Sequence, residues 1–186
     1  MWLGSLQHRN TAGSLPTKAT LRGIPDGMPG AVATLKVMRD LVRASIREPA
    51  QRVRETALGI TGSDGWIAQI REIQSWVQDH IRYIQDPTDD TGGVELVQTP
   101  QKTLDYAAGD CDDQSVLIAA LLSSLGHPTR FIAVGFNGAP LSHVLVQTKV
   151  GNSGDDRRDW ASVETIQPQP LGWFPPGVTS HYILKV

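Results

Sequence analysis

The sequence of 186 residues contains a single cysteine, Cys111. One cysteine excludes an internal disulfide and a metal site built from several thiolates, and it is typical of a reducing compartment. No apolar run approaches the ~20 residues of a membrane-spanning helix, and residues 1–15 lack the basic and apolar regions of a secretory leader. The formal net charge of −2 does not favour nucleic-acid binding. We expect a cytoplasmic protein that binds neither membranes nor nucleic acid.

The small net charge hides an uneven distribution. Residues 1–60 hold nine Lys and Arg against four Asp and Glu, whereas residues 61–186 hold eight against fifteen. The basic residues alternate with apolar ones at helical spacing, which does not fit a simple basic tail. Either these charges form solvated faces of one domain, or the basic N-terminal region docks on an acidic partner.

The first third of the chain predicts an irregular arm followed by helices. Residues 1–30 are rich in Gly and Pro, the residues of turns. Ala31–Ile46 has helical periodicity, and a second, shorter helix has Pro49 in its first turn, Val53 and Ala57 buried, and Gly59 at its end. Ser63 or Asp64 is expected to cap a third helix, with this apolar stripe: Trp66, Ile67, Ile70, Ile73, Val77 and Ile81.

The remainder predicts one buried helix and then strands. Residues 85–110 are mostly loop, and residues 111–125 form a helix that is apolar almost all round, as in the middle of a domain. Segments 130–136, 143–150, 157–164 and 181–186 are predicted strands. Helices followed by consecutive strands indicate an α+β fold with an antiparallel sheet. We expect an arm over 1–30 and a single domain over 31–186, with added helices over 31–64 and the core over 65–186.

Cys111 lies in Gly109-Asp110-Cys111-Asp112-Asp113, at the first turn of the buried helix. A helix N-terminus stabilises a thiolate and offers the backbone N–H of the cysteine to an oxyanion. Asp110 and Asp113 resemble a capping pair, but the three aspartates disfavour a thiolate unless an imidazolium lies nearby. The alternative is a small, buried, unreactive side chain.

Three histidines are candidates for the base. His127 follows the buried helix and lies ~24 Å from Cys111 along its axis, whereas His181 stays open and His143 is best placed. If strands 143–150 and 157–164 form a hairpin with Val150 opposite Arg157, His143 faces Glu164, close enough for the carboxylate to orient the imidazole. The alternative is a surface His–Glu pair, and a slip of one residue would separate the two.

These residues resemble the transglutaminase-like superfamily, a papain-type cysteine fold in which N-terminal helices and a buried catalytic helix pack on an antiparallel sheet. The resemblance rests on Gly109-Asp110-Cys111, the buried helix, Ser142-His143-Val144, and Trp160 with Glu164-Thr165. Tyr83 with Asp86-Pro87, and Gln98-Thr99-Pro100, are most similar to proteins of this type from bacteriophages and prophages. The resemblance to the superfamily covers roughly residues 65–170.

The resemblance implies a triad of Cys111 as nucleophile, His143 as base and Glu164 as orienting acid. The family usually has Asp, followed by Pro, at the third position, so Asp159 is the alternative there. The implied reaction is cysteine-dependent acyl transfer on a protein or peptide amide, with hydrolysis favoured over transamidation. The sequence does not identify the second oxyanion donor, for which Gln98 and Tyr106 are candidates.

No cofactor or metal is implied, since phosphate-loop, zinc-helix and calcium-loop patterns are missing from the sequence. The rival function is a non-catalytic structural or assembly component of a phage particle, docked on a phage structural protein through the basic N-terminal region. Such a protein would be associated with the virion, and a virion-associated enzyme would combine both functions.

Overall fold

The computed structural model describes residue 25 and residues 27–47, 52–86, 88–89, 92–93 and 96–186. Its helices are α1 (Gly27–Arg47), α2 (Arg52–Ile60), α3 (Trp66–His80), α4 (Pro100–Tyr106), α5 (Cys111–Ser124) and α6 (Asp156–Asp159). Its strands are β1 (Arg82–Tyr83), β2 (Thr88–Asp89), β3 (Gly92–Gly93), β4 (Ala108–Gly109), β5 (Thr129–Phe136), β6 (Leu141–Lys149), β7 (Trp160–Val163) and β8 (Val178–Lys185).

The three N-terminal helices form as their periodicity predicts, with two differences at their starts. Helix α1 begins at Gly27, so the last residues of the predicted arm are helical, and the arm over 1–24 and Pro49 lie outside the described residues. Helix α3 begins after Gly65 with no side-chain cap. Neither predicted cap forms, and the Ser63 hydroxyl instead donates to Glu72 at 2.5 Å.

Helix α5 is the centre of the core, and its burial confirms the prediction made from its composition. Every residue from 113 to 122 is buried. Helices α1, α2, α3 and α4 and strand β6 all contact α5. A fully buried Leu or Ile contributes roughly 1.5–3 kcal/mol, so the apolar residues of α5 are a principal source of stability.

Strands β7, β6, β5 and β8 form, in that order, an antiparallel sheet, which confirms the α+β prediction. One face packs on the helices through Phe131, Ala133, Val144, Val146 and Val163. The other face has its own cluster, Ile132, Val134 and Leu145. Strand residues alternate between faces, and His143, which pairs with Val134, lies on this second face.

Two segments differ from the sequence predictions. The predicted strand over 157–164 begins only at Trp160, because the Asp155 carboxylate caps the turn α6 by accepting from the Arg157 N–H at 2.9 Å. The predicted loop over 85–110 contains α4 and β4. The Thr99 side chain caps α4, and β4 pairs in parallel with β1, matching Tyr83 with Gly109.

Candidate active site

Cys111 is the first residue of α5, and its helix end is capped by two aspartates. The Asp110 carboxylate accepts from the N–H groups of Asp112 at 3.0 Å and Asp113 at 3.2 Å. The Asp113 carboxylate in turn accepts from the Asp110 N–H at 3.4 Å. The capping pair predicted from the sequence is confirmed as a capping box. This cap fixes the backbone around the thiol.

The head of α5 docks on the edge of β6 where β7 has ended. Pairing of β6 with β7 ends at Val146 with Val163. Beyond it, the Ser115 hydroxyl donates to the Val144 carbonyl at 3.2 Å, and the Val144 N–H is directed at the Cys111 sulfur. Cys111 and Ser115, one helical turn apart, therefore hold the thiol against the residue that follows His143.

His143, the residue before Val144, forms a bonded pair with Glu164. His143 Nε2 lies 3.0 Å from Glu164 Oε2, and the two side chains are 14% and 2% exposed. The second carboxylate oxygen accepts from the N–H groups of Thr165 and Ile166, both at 2.9 Å. With Nε2 engaged by the carboxylate, Nδ1 is the ring nitrogen left to exchange a proton. Among the described residues no hydrogen bond joins His143 to Cys111, whose thiol donates to Asp112 Oδ1 at 3.5 Å.

The predicted pairing of His143 with Glu164 exists, but its register was wrong by two residues. Lys149 pairs with Trp160, so continuing the ladder places Glu164 opposite residue 145 and diagonal to His143. A shift of two residues keeps the same face of the sheet. The two side chains meet for that reason.

A bulge comes directly before His143. Val134 pairs with His143 but Gly135 pairs with Leu141, which leaves Ser142 out of the ladder. A Cβ at Gly135 would lie 2.6 Å from the carbonyl oxygen of Ala139. Only glycine allows this close approach, and bulges of this kind redirect side chains next to functional sites.

The surroundings of Cys111 oppose a thiolate. Burial, then the charges of Asp112 and Asp110, raise the pKa of the thiol far above its usual range, and only the Val144 N–H lowers it. The expectation that the helix N-terminus lowers this pKa is therefore not met, whereas the opposing effect predicted for the aspartates is present. The resting thiol is protonated at neutral pH.

Glu164 has the opposite behaviour. Burial would raise its pKa, but the hydrogen bond and charge of His143, with the N–H groups of Ile166 and Thr165, bring the pKa below its usual value. The carboxylate is therefore ionised at neutral pH, which is the state that accepts from an imidazole N–H.

The other histidines and Asp159 lie elsewhere. His127 is buried beyond the far end of α5, where Nε2 lies 3.1 Å from Gln69 Oε1 and the ring contacts Trp66. His181 is exposed on β8, two strands from His143. Asp159 accepts from Ser153 and Gly154 in the connection before β7. The geometry gives none of the three a contact with Cys111 or His143.

The two candidate oxyanion donors are engaged or exposed. The Gln98 side-chain amide donates to Asp113 Oδ2 at 2.5 Å. Tyr106 is 61% exposed and its hydroxyl contacts the Lys102 ammonium at 3.4 Å. Tyr83, quoted in the sequence only as part of a motif, is a further candidate, since burial, then the charges of Cys111 and Asp110, raise its pKa. Its pairing with Gly109, two residues before Cys111, was not visible in the sequence.

One group of side chains has the geometry to hold a metal ion. Ligand atoms of Asp110, Cys111 and Asp112 lie within 4.8 Å of one another. The Asp110 carboxylate already caps α5, so these residues have a structural task without an ion. We assign no metal to them.

A cysteine at the head of a buried helix and a histidine–carboxylate pair on an antiparallel sheet define the papain-like and transglutaminase-like class of α+β folds. Residues 54–175 match the family model of the Transglutaminase-like superfamily, and the chain belongs to this superfamily. No curated protein matches the sequence.

Solved structures share the fold. A candidate protease from Parabacteroides distasonis has a TM-score of 0.55 at 15% identity, over 74% of this chain and 26% of its own. A candidate cysteine protease from Cytophaga hutchinsonii has a TM-score of 0.50 at 14% identity, over 81% of this chain and 55% of its own. LapG of Legionella pneumophila has a TM-score of 0.50 at 13% identity, over 77% of this chain and 80% of its own. The chain thus spans about a quarter and about half of the first two, and at these identities the likeness concerns the fold.

Proposed function

We propose that the protein catalyses cysteine-dependent acyl transfer on protein or peptide amides, with Cys111 as nucleophile, His143 as base and Glu164 as the acid that orients it. The observation that carries the proposal is the partly buried His143–Glu164 bond of 3.0 Å, next to Val144, the residue of β6 on which the head of α5 docks. Burial and a dedicated carboxylate fix the orientation of an imidazole, as general-base chemistry requires.

The reaction begins from the protonated thiol. As the sulfur attacks the amide carbon, the thiol proton moves to His143 Nδ1 and the carbonyl oxygen becomes an oxyanion, bound by the Cys111 N–H and by a second donor for which Tyr83 joins Gln98 and Tyr106 as a candidate. His143 then gives the proton to the leaving amine as the C–N bond breaks, which leaves a thioester. Water, losing a proton to His143, attacks the thioester and releases the acid and the thiol.

Hydrolysis is the proposed outcome, and transamidation is the same first step resolved by an amine. The two fold relatives described as candidate proteases support hydrolysis. Fluorescein-labelled casein incubated with monodansylcadaverine separates the two outcomes. Hydrolysis releases acid-soluble fluorescein, whereas transamidation attaches the dansyl group to casein. Cys111→Ser should abolish both.

The role of His143 is tested directly on the thiol. We expect His143→Ala to slow alkylation of Cys111 by iodoacetamide by about tenfold or more at pH 7, because the thiol then has no base. The matched control is His181→Ala, an exposed histidine of the same sheet, which should react like the unaltered protein. Equal rates in the two variants would refute the proposed mechanism.

The alternative function is a structural or assembly component of a phage particle. The observation that favours it is the exposed surface of α1, where Ile46 is 41% exposed between the exposed Arg43 and Arg47. A basic surface with an apolar centre fits an acidic phage structural protein as partner. The chain would then be phage- or prophage-encoded and located in the host cytoplasm or in the virion. Copurification with assembled particles, and phage genes next to its own, test this alternative.

No helix among the described residues is both long and apolar enough to cross a membrane.

A further inference from the structure

A pocket with a volume of about 390 Å³ opens beside the His143–Glu164 pair. Its other lining residues come from the end of β5 and from the segment after β7: Phe136, Ile166, Gln167, Trp173, Pro175 and Pro176. Ligand pockets in proteins have volumes of about 300–1,000 Å³, with mostly apolar walls and a few polar groups. This pocket has that size and composition.

Among the described residues that line the pocket, none offers a charge with which a ligand could pair. Its ionisable residues are His143 and Glu164, and they bond to each other at 3.0 Å. The remaining Glu164 oxygen accepts from the Thr165 and Ile166 N–H groups. A charged ligand group would lose its water here without gaining a partner, which is costly, whereas an apolar group gains from contact with the aromatic and proline walls.

The wall is held in place before any ligand arrives. Gln78 Nε2 donates to the carbonyls of Glu164 and Gln167, both at 2.9 Å. Gln74 Nε2 donates to the Gln169 carbonyl at 3.1 Å. The Gly172 N–H donates to the Ser162 carbonyl at 2.8 Å. A preformed wall lowers the ordering cost of binding.

We propose that this pocket binds a large apolar side chain, aromatic or branched aliphatic, on the amine side of the amide that Cys111 attacks. The assignment rests on the proposed function: His143 protonates the leaving amine, so the part of the substrate that carries this amine lies nearest to His143. Trp173 and Phe136 are the specificity-determining residues, and peptides with Lys, Glu or Gly at this position are poor substrates.

The test uses reagents that report on Cys111 without a known substrate. N-iodoacetyl amides of phenylalaninamide, leucinamide, lysinamide and glycinamide carry different side chains on the amine side of the same reactive group. We expect the phenylalanine and leucine reagents to alkylate Cys111 about tenfold faster than the glycine reagent, and the lysine reagent to resemble glycine. Equal rates for the four reagents would overturn the proposal.

Variants locate the preference. Trp173→Ala should reduce the phenylalanine-to-glycine rate ratio to below about three, because one wall of the pocket is lost. Phe174→Ala, the neighbouring exposed aromatic outside the pocket, is the matched control and should keep the ratio. A ratio that survives Trp173→Ala would place the preference elsewhere.

A second variant covers a failure of Trp173→Ala to fold. Pro176→Glu introduces a carboxylate at an exposed position of the wall, so the phenylalanine reagent should slow and the lysine reagent should accelerate. No change with either reagent would contradict the proposal. Casein hydrolysis with no reagent preference refutes the pocket alone. A preference without casein hydrolysis refutes the proposed reaction and the assignment to its amine side, but keeps an apolar pocket that selects what reaches Cys111.

Discussion

The head of α5 and the start of β6 meet at the end of β7, yet they shift the pKa of a buried carboxylate in opposite directions. The first region raises the pKa of Asp113, and the second lowers that of Glu164. Asp113 and Glu164 are both 1% exposed. Burial, together with the charge of Asp110, raises the pKa of Asp113 to about 7 despite N–H bonds from Gln98 and Asp110. The pKa of Glu164 lies below its usual value.

The difference lies in the partner charge. Both carboxylates accept two backbone N–H groups. Glu164 also faces an imidazole, whereas Asp113 faces neutral Gln98 and the acidic Asp110. The first region is thus arranged to keep protons, on Asp113 and on the thiol, and the second to keep a negative charge ready for an imidazolium. The reaction that we propose would transfer a proton from the first region to the second.

The largest expected effect comes from removing the negative charge of the second region. Glu164→Gln should lower casein hydrolysis by about 100-fold or more, because His143 loses the carboxylate that orients it and stabilises its protonated form. Asp159→Asn is the matched control at the alternative third position and should hydrolyse at nearly the unaltered rate. The opposite ranking would make Asp159 the functional acid.

The first region should be visible in the pH dependence of stability. Because the folded pKa of Asp113 lies above its unfolded value, its contribution is complete below about pH 4 and is lost as the pH rises towards 7. The free energy of unfolding should therefore fall by up to about 1.4 kcal/mol per pH unit in that interval. Asp113→Asn should flatten this slope in urea titrations.

Glu164 predicts the opposite slope on the acid side. Its contribution is present above its unfolded pKa and is lost as the pH falls through its lower folded pKa. Glu164→Gln should remove that acid loss and leave the slope between pH 4 and 7 intact. If Asp113→Asn and Glu164→Gln alter the stability over the same pH interval, the opposite pKa shifts that we describe for the two carboxylates are wrong.

The bulge before His143 offers a smaller effect on the second region. Gly135→Ala should cost about 1–3 kcal/mol of stability, because its Cβ would lie 2.6 and 2.9 Å from the carbonyl oxygens of Ala139 and Pro140. Hydrolysis should fall as well, since the displaced ladder carries His143. Gly59→Ala lies in a helix where the added methyl group would meet no atom within 4 Å apart from its chain neighbours and the backbone of its own helix. It should gain up to about 1 kcal/mol. Urea denaturation measures both.

The smallest expected effect concerns the thiol itself. The Asp112 charge and its bond to the sulfur raise the pKa of Cys111. Asp112→Asn should therefore speed alkylation by iodoacetamide at pH 8 several-fold. A pKa lower by about one unit corresponds to tenfold more thiolate. Asp79→Asn, an exposed carboxylate of α3, should have no effect. A slower reaction in Asp112→Asn would show that Asp112 serves the thiol in another way.

The sequence predicts an element most reliably where burial requires an unusual composition. Helix α5 is apolar on all sides, and its Asp-x-x-Asp start specifies its cap. Helix α4 was predicted as loop because its seven residues have no clear apolar stripe, although Thr99-Pro100 is a capping signal. The two-residue pairing of β1 with β4 has no periodicity to detect, so the sequence did not reveal that Tyr83 pairs with Gly109.

The His143–Glu164 pair shows how a prediction can be wrong in register and right in contact. The four helical residues of α6 lengthen the hairpin connection, because Asp155 favours a helical turn over an early strand. Pairing therefore begins at Lys149 with Trp160 rather than at Val150 with Arg157. The roles of Cys111, His143 and Glu164 in a reaction stay predictions until the variants above are measured.

The anchoring of the segment after β7 has a consequence for how its selectivity can change. Gln74 and Gln78 hold this segment through carbonyl oxygens that every amino acid carries. Side chains at positions such as Trp173 and Pro176 can therefore be exchanged without loosening the attachment. If the pocket binds the substrate as we propose, recognition is separate from support, and a library randomised over this wall should sample new peptide preferences on an unchanged scaffold.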